Sequence, residues 1–423
     1  MRSFTLATLS ADEFDAFSAT HPQGNFQQTS AMGRLRAKQG VEVEYLAVKE
    51  NGATVAAALF ETHRSRLSTF AAVHDGPLVD FHDNDLLSFF MTQLKAHAKA
   101  KGAAQLEITP ETPYRIRDSF GKELPDDQGG APDDRSVKGL QSLGFEHSGF
   151  TTGYTAVPRW RYLKDLHGIA NEKALLESYA KNTRRNVKIA RNSAVRVEKI
   201  SREQLPVFHH ICELSCEKQG FANRPLHYFE DIYDAFGDSA EFLVATIDMQ
   251  EYLTSWETKR DGFLKDIDKL ERSLETTKYP DTVNKKIATA RATYEASLKR
   301  IEKAHEYIDR DGTSVPVAAG LFIWHRRECV YLFSGSDETY AKFYAPTAIQ
   351  HHVMMQCLER DVPRYNFYGI DGVFDDPDDP GRGVLEFKQG FDGYVEEMTG
   401  EFILPVRPLV YRLKQTVRRM LRR

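Results

Sequence analysis

The feature that most constrains this chain is a helical segment standing where a tight strand connection belongs. The strand-like run EFLVATID should pair with the run PVAAGLFIWHRRECVYLFSGS, yet residues 249–308 come between them. Leu253, Trp256, Arg260, Phe263, Ile267, Leu270 and Leu274 alternate spacings of three and four. After Tyr279-Pro280-Asp281 the series resumes with Val283, Ile287, Ala290, Tyr294, Ser297, Ile301, Ala304 and Ile308. Such spacing on both sides of a proline turn predicts an antiparallel coiled-coil hairpin. At 1.5 Å rise per residue each arm reaches roughly 40 Å. Inserted between neighbouring strands, it must project from its domain.

The remainder reads as α+β material that occurs twice. VEVEYLAVKE and GATVAAALFETHR form a strand pair around Asn51-Gly52, followed by a helix ending at Gly102 and the strand AAQLEITP. Residues 111–137, rich in Pro, Asp and Gly, are expected to be a loop. A second unit begins near Val157 and repeats a similar order of helices and strands. The expected division is a first lobe over residues 1–155, completed by about 402–423, and a second over 156–401 that carries the hairpin.

Charge and composition narrow the function classes. With a net charge of −5, the whole molecule is no general polyanion binder. No run approaches the ~18 uninterrupted apolar residues of a spanning helix, and the N-terminus carries Asp12, Glu13 and Asp15 where a signal peptide would be apolar. A cytoplasmic location is the expectation. Cys212 and Cys216, near His209 and His210, match no usual zinc spacing, and the acidic loop FDDPDDPGRG lacks the EF-hand ligand pattern. Neither a metal nor a cofactor is expected. Two stretches are locally basic. Lys181, Arg184, Arg185, Lys188 and Arg191 recur at helical spacing and suit RNA phosphate, although a solvated helix face has the same pattern. Pro405–Arg423 combines Leu409, Leu413, Val417 and Leu421 with seven basic residues, suiting an anionic lipid surface, RNA, or simply solvent.

The segment YNFYGIDGVFDDPDDPGRGVLEFKQGFDG, from Tyr365 to Gly393, resembles the Fem-type peptidoglycan aminoacyltransferases. It holds Gly369-Ile370-Asp371-Gly372 at a strand end, then Glu386-Phe387-Lys388-Gln389-Gly390-Phe391 after a loop. GFANRPLHYF supplies Arg224 and Tyr228, and GNFQQTSAMGRLRAKQG places Met32 and Arg36 where that family has an aromatic residue and a lysine. Thr109-Pro110 stands where an Asp-Pro is common, and Phe333 where a Tyr sometimes occurs. The resemblance spans essentially the whole chain. It implies an α+β fold of two acetyltransferase-like (GNAT-like) lobes with the inserted hairpin.

What the resemblance implies for chemistry is the transfer of an amino acid from aminoacyl-tRNA to the stem-peptide amine of a peptidoglycan precursor, either lipid II or UDP-MurNAc-pentapeptide. Lys388, with Phe387, would stabilise the oxyanion of the tetrahedral intermediate. Arg36, Arg224, Tyr228, Gly369 and Asp371 would hold the precursor, guanidinium groups suiting diphosphate and carboxylate. Arg184, Arg185 and Lys188 would meet tRNA, and the basic C-terminal helix would allow peripheral membrane contact. Two rival readings are an acetyl-CoA N-acyltransferase and a non-catalytic coiled-coil scaffold at a membrane surface. The first needs a Gln/Arg-x-x-Gly-x-Gly/Ala turn for the pyrophosphate, and no segment matches it.

Overall fold

The computed structural model describes residues 2–65, 68–219 and 222–413. The chain opens with β1 (Phe4–Thr8), α1 (Ala11–Thr20), α2 (Ser30–Lys38), β2 (Glu42–Glu50), β3 (Ala53–Arg64), β4 (Thr69–Val73), α3 (Asn84–Ala100) and β5 (Gln105–Ile108). Next come β6 (Pro113–Arg117), α4 (Asp134–Ser142) and β7 (Glu146–His147). The second half runs β8 (Trp160–Asp165), α5 (Glu172–Glu177), α6 (Lys181–Asn192), β9 (Val195–Lys199), α7 (Leu205–Gln219), α8 (Leu226–Phe236) and β10 (Ala240–Asp248). The long α9 (Met249–Leu274) and α10 (Pro280–Asp311) follow, then β11 (Ser314–His325), β12 (Glu328–Ser336), α11 (Ala345–Glu359), β13 (Arg364–Ile370), α12 (Arg382–Gln389), β14 (Tyr394–Met398) and β15 (Phe402–Pro405).

Two sheets result, in the orders β1-β2-β3-β4-β5-β15-β7 and β6-β14-β8-β13-β12-β11-β10-β9. Each contains the same unit: a strand, two helices, three antiparallel strands, one helix, and a strand returning parallel to its neighbour. In the first unit β4 runs parallel to β5 after α3, and in the second β12 runs parallel to β13 after α11. This repeat is the GNAT-like architecture, present twice. The lobes also exchange strands. Residues 113–117, expected to be loop, form β6 on β14 of the second sheet, and β15 returns to pair with β5 of the first.

Alternation along β2 and β3 explains the layering. Leu46, Val48, Ala56, Ala58 and Phe60 turn to one face, where α3 supplies Phe90 and Leu94. Ala47, Ala57 and Leu59 turn to the other, into a core shared by the two lobes with Phe14, Met32, Phe208, Phe229, Phe242 and Leu321. The second sheet's far face is covered by α6 and α11 through Val187, Ile349, Val353 and Met354. The lobes therefore share one apolar layer, and α2 is fastened to α8 by Lys38 to Asp231 and Asp234 at 3.3 and 3.0 Å.

The hairpin stands where the first unit has only the Asn51-Gly52 turn. Asp248 ends β10 and at once caps α9, its carboxylate accepting from Glu251 N at 2.8 Å. Pro280 sits at the first position of α10, where its missing N–H is no loss. Met249 N donates to Thr313 O at 2.9 Å, so both ends of the insertion meet across the β10–β11 ladder. Leu253, Ile301 and Ala304 are buried at the root, and Ile267 and Ile287 further out, as the alternating spacing requires. The Arg300 and Lys259 side chains both approach the Trp256 ring, at 4.3 and 4.4 Å from its centroid.

A buried lysine at a strand bulge: the candidate active site

β13 carries the irregularity that organises the site. Its ladder to β8 pairs Asn366 with Leu163 but Gly369 with Arg161, so an extra residue is accommodated between them. Tyr368 takes a positive φ of 63° there, and Asn366 stabilises the kink by accepting from Tyr368 N at 2.8 Å through Oδ1. Asn366 is itself held by Glu328, which accepts from its Nδ2 at 3.1 Å. The ladder to β12 covers only Cys329–Tyr365 and Val330–Asn366. Past the bulge, β13 is free to present backbone carbonyls elsewhere.

Lys388 takes them. It lies on α12, and its Nζ donates to Gly369 O at 2.6 Å and to Tyr368 O at 3.5 Å. The residue is 4% exposed, and no carboxylate among the described residues lies within ion-pair distance of it. Burial pushes its pKa down to about 7, with Asp371 partly opposing. Phe387 packs edge-on to Phe391, ring centroids 5.5 Å apart. The Gly372 backbone has φ 78°, and a Cβ there would stand 2.4 Å from the Trp160 ring, which accounts for the second glycine of the Gly-Ile-Asp-Gly run.

Asp371 is buried beside this lysine. Its Oδ1 accepts from Val373 N at 3.0 Å, and burial together with the Asp379 carboxyl raises its pKa. Gly381 leaves room for it: a Cβ at that position would lie 1.9 Å from Asp371 Oδ2.

The other residues singled out in the sequence fall in three places. Arg224 and Tyr228 are together at the start of α8, the guanidinium 5.4 Å from the ring centroid, with Phe333 edge-on to Tyr228 at 5.9 Å. Arg224 is exposed and meets no carboxylate among the described residues within ion-pair distance. Arg36 is engaged, donating from Nε to the buried Glu61 at 3.3 Å. Met32 is buried in the shared core, and Thr109 Oγ1 accepts from Asp75 N at 2.9 Å. Arg184, Arg185 and Lys188 are exposed on α6. That helix starts against the lysine motif, since Ala180 N donates to Gly390 O at 3.0 Å. The basic part of the C-terminal stretch from Lys414 onward lies outside the described residues. No helix among those described is long and apolar enough to cross a membrane.

Sequence reasoning missed the charge cluster that ties the lobes. Arg161, 2% exposed, donates from Nη1 to both carboxylate oxygens of Glu111 at 2.7 Å and from Nη2 to Asp75 Oδ1 at 2.6 Å. These residues come from β8, the loop after β5 and the turn after β4. Nothing in their local patterns signals the meeting.

A doubled GNAT-like fold with a buried lysine at a strand bulge and a projecting helical hairpin defines an acyltransferase architecture. Within that class the comparisons are specific. A sequence model of the FemAB family matches residues 9–419, and the chain belongs to that family. Aminoacyltransferase FemA of Staphylococcus epidermidis (strain ATCC 35984) is 28% identical over 416 residues, covering 97% of this chain and 98% of that protein. Aminoacyltransferase FemA of Staphylococcus aureus (strain N315) is 28% identical over 411 residues, covering 95% and 96%. The crystal structure of FemX superposes with a TM-score of 0.77 at 23% identity, covering 97% of this chain and 99% of that one.

Proposed function

We propose that this enzyme, an aminoacyltransferase of peptidoglycan bridge synthesis, takes its amino acid from the 3′ ester of aminoacyl-tRNA and delivers it to the stem-peptide amine of a lipid- or nucleotide-linked precursor. The observation that carries the reading is Lys388, a buried lysine with two carbonyl partners and no carboxylate within ion-pair distance among the described residues. An aminoacyl ester is already activated, so no ATP is required. The incoming amine attacks the ester carbonyl, the C–N bond forms, and negative charge collects on the former carbonyl oxygen. On collapse the C–O bond to the ribose breaks, and the leaving 3′ oxygen takes up the proton that the amine loses. The Lys388 ammonium, released from the Gly369 carbonyl, donates to the oxyanion, and the dry surroundings strengthen that contact. Phe387 forms part of the apolar wall beside it.

The basic face of α6 begins next to Gly390, so a tRNA lying along Arg184, Arg185 and Lys188 would have its acceptor end within reach of the lysine. Arg224 and Tyr228 suit a phosphate group of the precursor through charge and an aromatic face. Gly369 and Asp371 line the approach to the bulge. Peripheral membrane contact through the C-terminal residues would bring the enzyme to a lipid-linked acceptor.

The test is a transfer assay with purified protein, tRNA pools charged with each labelled amino acid, and either lipid-linked or nucleotide-linked muropeptide. Label entering the muropeptide from one or two amino acids supports the reading. No transfer from any charged tRNA to either acceptor would refute it.

A further inference from the structure

The face of the first sheet beside Arg36 carries a second concentration of donor atoms that the transfer chemistry does not use. Glu61 and His63 alternate on β3 and so project from one face. The β3–β4 register sets His63 opposite Phe70 and Glu61 opposite Ala72. His74, two residues past Ala72, falls on that face as well. Glu61 Oε2 is 2.8 Å from His63 Nε2 and 3.9 Å from His74 Nε2, and the three donor atoms all lie within 4.8 Å of one another.

The surroundings hold these atoms in place. Arg36 occupies the other carboxylate oxygen, Oε1, at 3.3 Å, leaving Oε2 to the imidazoles. The His63 ring stacks on Phe70 at 4.6 Å with 4° between planes. Gln28 Nε2 donates to the His74 carbonyl at 2.6 Å. A single Glu–His hydrogen bond explains the 2.8 Å contact. It does not explain a second imidazole turning its Nε2 toward the same oxygen at a distance too long to bond. Glu61 is 1% exposed while each histidine side chain is 24% exposed, so the convergence point has protein on one side and solvent on the other.

We propose that Glu61, His63 and His74 bind a divalent cation of the zinc class, with an open coordination position toward solvent. Two imidazoles and one carboxylate suit zinc and its first-row neighbours, whereas magnesium and calcium prefer all-oxygen shells. At ligand bonds of about 2.0–2.2 Å, tetrahedral donors stand about 3.3–3.6 Å apart. The observed separations bracket that value, so side-chain adjustment suffices. Arg36 acts as the neighbour that orients the carboxylate. Its charge, with Glu401 the acidic group on the His74 side, sets the electrostatic background for the cation.

The test uses the full chain, stripped with a chelator and titrated with Co2+, whose visible d–d bands report coordination. Wild-type protein should bind one equivalent and show bands of a four- or five-coordinate ion. His74→Asn, at a partly exposed position, should weaken that binding at least about tenfold while far-UV circular dichroism stays unchanged; Glu61→Gln should do the same. No saturable binding, or binding undiminished in His74→Asn, would overturn the proposal. So would a strong thiolate charge-transfer band, which would place the ion on cysteine ligands (Cys212 with Cys216, or Cys329 with Cys357) instead. None of these readouts depends on aminoacyl transfer.

Discussion

Of the lysine and arginine side chains buried among the described residues (Arg159, Arg161, Lys164 and Lys388), Arg161 and Lys388 have opposite surroundings. Arg161 has two carboxylates, one bidentate, and joins strands and turns from both lobes. Lys388 has two backbone carbonyls and no ion pair among the described residues. Burial costs each of them hydration. Arg161 is compensated by hydrogen-bonded opposite charges and keeps its proton firmly, whereas Lys388 is left with a pKa near 7. A buried charge that is fully paired belongs to the architecture. Lys388, underpaired beside a kinked strand, is the one that the proposed function assigns to the substrate.

The largest effect that would sharpen this contrast is on rate. Lys388→Ala should lower single-turnover transfer by about 10²–10³-fold, as loss of a single oxyanion donor does, while Arg161→Met should act mainly through stability. Equal losses of rate at both positions, with folding intact, would erase the distinction.

Stability should show the reverse order. Arg161→Met strands Asp75 and Glu111 without a counter-charge and is expected to cost about 3–5 kcal/mol in denaturant unfolding. Lys388→Met should instead stabilise the fold by up to a few kcal/mol. The pH dependence follows from the depressed pKa. Below pH 7 the lysine is charged in both states, and the folded state bears the full cost of burial. Between about 7 and 10.5 the unfolded chain binds the extra proton, so wild-type stability rises with pH and the advantage of Lys388→Met shrinks. An advantage that is constant over that range would mean the lysine is not strained by burial.

A smaller effect is expected at the tRNA face. Reversing Arg184, Arg185 and Lys188 to Glu should weaken aminoacyl-tRNA binding and flatten its salt dependence, leaving the fold unchanged because all three are exposed. Filter binding across a salt series measures this. An unchanged slope would remove α6 from the RNA surface.

The helical hairpin was legible because its 3/4 spacing is a local signal and its tip is marked by Pro280, where the second arm begins. The doubling of the lobe was visible as a repeated order of elements. The return of β15 to the first sheet falls within the expected completion of the first lobe by about 402–423, but the placement of β6 was not legible, since pairing of Pro113–Arg117 with β14 depends on contacts nearly three hundred residues apart. At the site, resemblance picked out Lys388, Gly369 and Asp371, yet the bulge that aims two carbonyls at the lysine exists only once β8 and β12 flank β13. Arg36 was expected to hold the precursor and is found paired with Glu61, a pairing that needs α2 packed on the β3 face and so has no local signal. A Glu-x-His spacing on β3 was readable in the sequence, but His74 joins it only through the β4 register.

The most direct test of the central claim is the pH dependence of single-turnover transfer under saturating tRNA and acceptor. If Lys388 acts as a protonated donor to the oxyanion, wild-type rates should fall as pH rises through about 7 once the acceptor amine's own ionisation is factored out. Lys388→Arg, which cannot lose its proton in that range, should retain part of the activity and lose that limb. A rate that rises through the same pH range and is abolished by Lys388→Arg would contradict the account, making the lysine a base rather than an oxyanion donor.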